Sequence, residues 1–585
     1  MEGTLPPQPC RLLDLPNELK LHIVDYVGRG SQSERVWLMA GLQIHDMRDL
    51  YNLSRTCSVL EHKVMKRLYH SVDCHFPRLS HSRKSGSRPF RAPVTQSVRH
   101  LTVRYGMVDR TLPSSASRVD SGDMYNPDDF IYEILQDIPT GRLTSFAFLY
   151  QTPLGARLLD QLIQRHDSTL QHLRFCEPGA WEKSSLVPTN LTSLECRTVH
   201  DGDSIERIIM TNKKTLQKLQ LGQEKQLIEQ YHQRRGGHME QVNQPKDTFF
   251  TAALALKDFK NLRELSLHAL DVSRLRPGSM QEGSFFCNLE RMTLESCPGS
   301  AEFLDLLANA FHWTLHSSEA PQNPRVPPKL KHFLFRHENP TAAVKDSIVR
   351  FLGSFNGLNT LSLLFDNGAI LERPSTFIER HGPTLRTLVL EARTQPREHL
   401  SMDTSRPFGA GGYSQELWVE SINDIARFCP NLVELGMGFP WNDELVRLRK
   451  TALPTLQHLR TIHIRNFPEN HVCSQLGDYS IKEYANKFIE WVFPDLVGGC
   501  QPSLEQLAIG PTVYQSRWKM KPSSTSTALG RQPPQFLSTH HFCLDWAQTR
   551  FGRWTPLVTP VSEKFMEELA GTRPLGGVFE QVWLR

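Results

Sequence analysis

Two short stretches of the chain bring together side chains that bind metals, His70-Ser-Val-Asp-Cys74-His75 and His540-His541-Phe-Cys543. Imidazole and thiolate are the donors zinc prefers, but a closed zinc site needs four of them. Neither stretch has a second ligand pair at the required spacing, so both read as ordinary surface or core and no metal ligand is assigned. The glycines of Phe408-Gly-Ala-Gly-Gly-Tyr413 could approach a phosphate, yet they lack the preceding strand and following helix that such a loop needs. Asp128-Asp129, directly after Pro127, reads as a helix start, where carboxylates meet the positive end of the helix dipole, and not as an acid/base pair. Nucleophile-elbow, Walker and zinc-protease motifs are absent. The chain therefore reads as a non-enzyme without a cofactor.

One further cluster is electrostatic. From His75 to Pro93 the chain carries Arg78, Arg83, Lys84, Arg88 and Arg91 with no acidic residue. A solvated linker explains it; a nuclear-import segment or a docking site for an acidic or phosphorylated partner are the sharper readings. The whole chain has 585 residues and a formal net charge of +5. That is too weak a charge to make nucleic acid or a membrane the main partner. No apolar run approaches the 18 residues of a membrane helix, and MEGTLPPQPC has no secretory character. Eleven scattered cysteines without a C-x-x-C pair suit reduced thiols in the cytoplasm and/or nucleus.

The elements that would position any site follow from a repeat. The pattern L-x-x-L-x-L recurs in thirteen copies, plainest in TLQKLQL, NLRELSL, GLNTLSL and TLRTLVL. Their first apolar residues are Val98, Leu143, Leu170, Leu191, Leu216, Leu262, Leu289, Leu330, Leu358, Leu385, Leu432, Leu459 and Leu504. Seven of the twelve gaps lie between 21 and 28 residues, and the other five between 41 and 47. A 20–29-residue period with this core is the leucine-rich-repeat signature, one strand and one helix per unit. Nine copies carry Ser, Thr or Asn just before the first apolar residue, where a side chain can bond nearby backbone in a turn. Upstream segments such as Phe377–Arg380 and Ile422–Phe428 look helical. Each long gap holds either an insertion or a further, unrecognised repeat.

The N-terminal segment obeys a different period. In RLLDLPNELKLHIVDYV, Leu19, Ile23 and Val27 recur every four residues on one helical face. In DLYNLSRTCSVLEHKVMKRLYHSV, Leu50, Leu53, Cys57, Leu60, Val64 and Leu68 form a second stripe. Two helices this small need a partner. Together they resemble an F-box, most specifically in Leu15-Pro16, Leu19, Ile23, Leu53 and Cys57, and the repeats are similar to the downstream half of F-box/leucine-rich-repeat proteins of the fungal type. The sequence departs from the F-box pattern by about twenty inserted residues at 28–48.

The resemblance implies a substrate-recognition adaptor of an SCF-type ubiquitin ligase. Leu15, Pro16, Leu19, Ile23, Val27, Leu50, Leu53 and Cys57 would dock on a Skp-type linker, and the repeats would hold an unknown protein substrate. The alternative is a leucine-rich-repeat scaffold or regulator whose F-box-like module binds a partner without promoting ubiquitination. The expected fold is α/β: a helical F-box module (1–76), a basic linker (77–96), an irregular leucine-rich-repeat solenoid with loop insertions (97–518), a flexible linker (519–540) and a C-terminal cap (541–585).

Overall fold

In the computed structural model the described residues are 69–76, 92–105, 127–149, 153–177, 181, 184, 186–199, 202–223, 259–273, 288–316, 328–338, 340–366, 375–394, 413–414, 419–439, 452–465, 481–493, 503–510, 540–548 and 554–561. The chain divides into two compact units, Met1–Leu216 and Gln217–Arg585. Both are mixed α/β.

In the first unit β1 (Ser71–Phe76), β2 (His100–Tyr105), β3 (Ser145–Leu149), β4 (His172–Phe175) and β5 (Ser193–Cys196) pair in sequence order, all parallel. Between them lie α1 (Ala92–Ser97), α2 (Pro127–Asp137) and α3 (Ala156–His166), and α4 (Gly202–Asn212) follows β5. In the second unit β6 (Lys218–Gly222), β7 (Glu264–His268), β8 (Arg291–Glu295), β9 (His332–Glu338), β10 (Thr360–Asp366) and β11 (Thr387–Thr394) pair in sequence order among themselves, all parallel. Then β11 pairs parallel with β13 (Glu434–Met437), followed by β14 (Thr461–Ile464) and β15 (Gln506–Ile509). The helices here are α5 (Ser300–His316), α6 (Ala342–Gly353), α7 (Ser375–His381), α8 (Val419–Phe428) and α9 (Ile481–Val492).

Each of the thirteen copies becomes one parallel strand, and each strand starts two residues after the first apolar residue. The three apolar positions of every copy are buried. They face the helices where contacts are seen: Phe333 of β9 lies 5.0 Å from Phe351 of α6, which adjoins Phe311 of α5. The helices answer with matching stripes. In α6, Val344, Ser347, Ile348, Phe351 and Leu352 are buried, the three-and-four spacing of one face, and Thr341 caps the helix by accepting a hydrogen bond from the Val344 amide. Pro127 opens α2 with Asp128 and Asp129 in its first turn, as expected.

The polar residue before the first apolar position bonds the preceding repeat. The hydroxyls of Thr169, Thr215, Thr384 and Ser503 donate to the carbonyls of Leu143, Leu191, Leu358 and Leu459 at 2.7–2.8 Å. The strands on either side of every long gap are direct neighbours. A hidden repeat would have to seat its strand between them, so the long gaps are insertions. One of them contributes β12 (Tyr413–Ser414), antiparallel to the end of β11.

The sequence expectation needs two corrections. Ser71 and Val72, read above as the end of the second N-terminal helix, open β1 instead, because Val72 and Cys74 alternate with Ser71 and Asp73 at the strand period. Their register, Val72 to Leu101 and Cys74 to Val103, adds a strand ahead of the thirteen copies. The expected linker also ends in α1, where Pro93 suits a first helical turn. Toward the C-terminus, β16 (His540–Gln548) and β17 (Trp554–Val561) turn antiparallel on β15. Pro556 and Pro560 deprive β17 of two amide donors, which blunts a sheet edge.

Candidate binding face

Strand alternation divides the repeat chemically. The three apolar residues of a copy go to one face, and the residues between them form the other, which carries the charged side chains together with buried apolar ones such as Ala147, Leu334, Val389 and Ala508. In the first unit the register places Asp73, Thr102, Ala147, Arg174 and Glu195 in one row across β1 to β5. Arg104 and Arg197 lie two residues beyond Thr102 and Glu195. Arg104 meets Asp73 at 2.9 Å. Arg174 meets Glu195 at 2.6 Å, and Arg197 reaches the same carboxylate oxygen at 3.5 Å. Burial pulls the Arg174 guanidinium below its usual range; Glu195 holds it up, while Arg197 and Arg104 press it further down.

The polar face of the second unit is more deeply enclosed. Arg465, just past β14, meets Glu391 of β11 at 3.1 Å, with side chains 4% and 1% exposed. β13 lies between them, and its Gly436 stands in register between Val389 and His463. Gly438, two residues on, adds no side chain either, so Arg465 crosses to Glu391 unobstructed. His463 donates through Nε2 to the Gly510 carbonyl at 2.8 Å, and burial beside Arg465 pushes its pKa down to about 3. Glu295 accepts from His268 at 2.8 Å.

The residues singled out from sequence fare as follows. Leu15, Pro16, Leu19, Ile23, Val27, Leu50, Leu53 and Cys57 lie outside the described residues, as do Arg78, Arg83, Lys84, Arg88 and Arg91 of the basic run. Cys74 is turned into the apolar core, where burial pushes its thiol far up, while His70 faces His100, with the Nε2 atoms 3.1 Å apart. His541 is held down to about 4 by burial. Of the glycine-rich stretch only Tyr413 is described, in β12. Among the described residues no group of three or more His, Cys, Asp or Glu is placed to hold a metal ion, and no helix is long and apolar enough to cross a membrane.

Sequence reasoning missed the charged residues of the polar face. The signal was available: Arg174, Glu195, Glu391 and Arg465 all occupy intervening positions of recognised repeats or the residues just beyond them. No protein-family model matches the chain, and no curated protein matches it.

Proposed function

We propose that the chain is a non-catalytic substrate-recognition adaptor of an SCF-type ubiquitin ligase. Its N-terminal segment is an F-box that docks on a Skp-type linker through Leu15, Pro16, Leu19, Ile23, Val27, Leu50, Leu53 and Cys57. Its repeats are a leucine-rich-repeat solenoid that holds a protein target, and the ubiquitin chemistry takes place on partner subunits. The protein works in the cytoplasm and/or nucleus.

One observation carries the repeat half of this reading. Within each unit every L-x-x-L-x-L copy is a parallel strand that buries its three apolar residues. Stacked repeats of this kind create the extended binding surfaces on which protein targets are held. The linker half rests on the Leu-Pro-led helix and its Leu-x-x-Leu-x-x-x-Cys companion in the sequence.

Co-purification tests it. The full chain should bring down a Skp-type linker, and changing Leu15 and Pro16 together to Ala should abolish the complex, because a buried interfacial Leu→Ala costs ~2–5 kcal/mol. A double variant that holds the linker as tightly as the parent ends the adaptor reading. Linker without cullin or ligase activity in the same precipitate favours a scaffold that does not promote ubiquitination.

A further inference from the structure

His70 stands just ahead of β1, and His100 is the first residue of β2. The backbone amides of Arg99 and His100 both donate to the His70 carbonyl, at 2.9 and 3.0 Å, where the β1–β2 ladder begins. The ladder thus fixes both backbones before either side chain is placed. The two rings then meet at their Nε2 corners, 3.1 Å apart, with the ring planes at 72°. His70 is exposed and His100 is partly exposed, so the pair is open to water.

Two nitrogens at that distance can share a proton, and they can also share a metal ion. Zinc holds imidazole nitrogens at about 2.0–2.1 Å, so at a tetrahedral angle two of them stand roughly 3.3 Å apart, and at a right angle roughly 2.9 Å. The 3.1 Å separation lies between these values. Burial, with His70, His172 and Arg99 nearby, keeps His100 below its usual range, so its imidazole is neutral, the form that ligates metals. Arg99 is the cation that would oppose an ion here, and its Nη1 donates to the Arg142 carbonyl at 3.0 Å. His172 supplies no third ligand: Ser145 stands between it and His100 in the register, which sets the two strands roughly 10 Å apart.

We propose that His70 and His100 chelate one divalent transition-metal ion of the class that favours imidazole, zinc or copper, with water in its remaining positions. On binding, the proton between the two Nε2 atoms moves to Nδ1 of its own ring, so both imidazoles stay neutral and each Nε2 turns a lone pair to the ion. The ion ties the residue ahead of β1 to the start of β2 and so clamps the first strand pair of the array. His70 draws no ligand pair from its own stretch; its companion comes from 30 residues further on, through the strand pairing. The site stands apart from the adaptor reading, which needs no metal.

Calorimetric titration of the full-length protein with zinc chloride, and electron paramagnetic resonance after adding one equivalent of Cu²⁺, test it. The copper spectrum of the parent should show coupling to two imidazole nitrogens. His70→Gln and His100→Gln should each weaken the tightest zinc site roughly tenfold or more and reduce the copper coupling to one nitrogen. His172→Gln should leave both readouts unchanged. Neither ligand is enclosed, so both variants should fold, as circular dichroism will check; should one unfold, the other decides alone. A tightest zinc site that neither variant weakens overturns the proposal. So does a parent copper spectrum without two-nitrogen coupling, which would leave the pair as a hydrogen bond only. Equal loss in His172→Gln would also overturn it, since the ion would then lie outside the pair.

Discussion

In the first unit Arg174 and Arg197 share the carboxylate of Glu195. In the second, Arg465 and Glu391 meet across a strand whose glycines clear the way, and both are withdrawn from water. The same residue types on equivalent faces of the same repeat thus serve different ends. A fully buried pair has forfeited its hydration and stands only while both partners remain. In the first unit one carboxylate oxygen meets two guanidinium groups, so losing either arginine still leaves the carboxylate an ion-pair partner. The number of ion-pair partners per carboxylate, more than the identity of the charges, separates the two clusters.

The strongest way to break that contrast is to remove one arginine from each face. Arg465→Met removes the buried cation that meets Glu391 and should cost about 3–5 kcal/mol. Arg197→Gln leaves Glu195 paired with Arg174 and should cost less, about 1.5–3 kcal/mol. Guanidinium unfolding midpoints measure both. Equal shifts would show that the two faces do not differ in kind.

The scaffold was largely legible in the sequence, and the faces were not. The three apolar residues of a copy such as Thr384–Leu390 suffice to place a strand, because a stack must bury them and the period fixes their neighbours. Thr384 itself forecast a turn bond and makes one to Leu358. β1 escaped notice because its strand period is short and adjoins a helical stripe ending at Leu68. The pairing of Arg465 with Glu391 was not readable, because the partners are 74 positions apart and meet only through the strand register. The docking residues from Leu15 to Cys57 were proposed from pattern and resemblance, and lie outside the described residues.

Acid should separate the units next. Burial holds His381 down to about 4, His463 to about 3 and His541 to about 4 in the second unit, and His166 to about 4 in the first. His381 shows the reason: Nε2 donates to the Leu352 carbonyl while Nδ1 accepts from the Leu358 amide, so a second proton has no place. These folded-state values lie below the unfolded value near 6.5. The unfolded chain therefore takes up protons first, and the stability these residues contribute is complete above pH 6.5 and lost as pH falls toward 4. For a residue such as His381 the loss is at most about 3 kcal/mol. Hydrogen exchange at pH 7 and pH 5 should show strand amides of the second unit losing protection before those of the first. The reverse order would contradict this distribution of buried imidazoles.

Two glycines give a smaller, local comparison. Gly299 has φ +73°, and an added Cβ would stand 2.3 Å from the Ser273 amide nitrogen. Gly141 has φ +69°, but the nearest atom to its Cβ would be the Ser168 hydroxyl at 3.9 Å. Both pay the left-handed penalty on becoming Ala, about 1–2 kcal/mol, and Gly299 adds a backbone overlap that brings it to roughly 2–3 kcal/mol. Thermal melting of the two variants should rank them in that order.

The smallest effect should be the same in both units, and that equality sharpens the contrast. Thr169 in the first unit and Thr384 in the second each bond the preceding repeat's first leucine carbonyl at 2.8 Å, and each also reaches a histidine carbonyl three residues back. Valine keeps the shape and removes the hydroxyl. Thr169→Val and Thr384→Val should each cost about 1 kcal/mol, the net worth of one ordinary hydrogen bond. Matching losses, beside unequal losses at Arg197 and Arg465, would locate the difference between the units in their polar faces and leave the repeat frame common to both. A loss at Thr384 several times that at Thr169 would instead mean that the frame itself is held more tightly in the second unit, and that its enclosed charges follow from that.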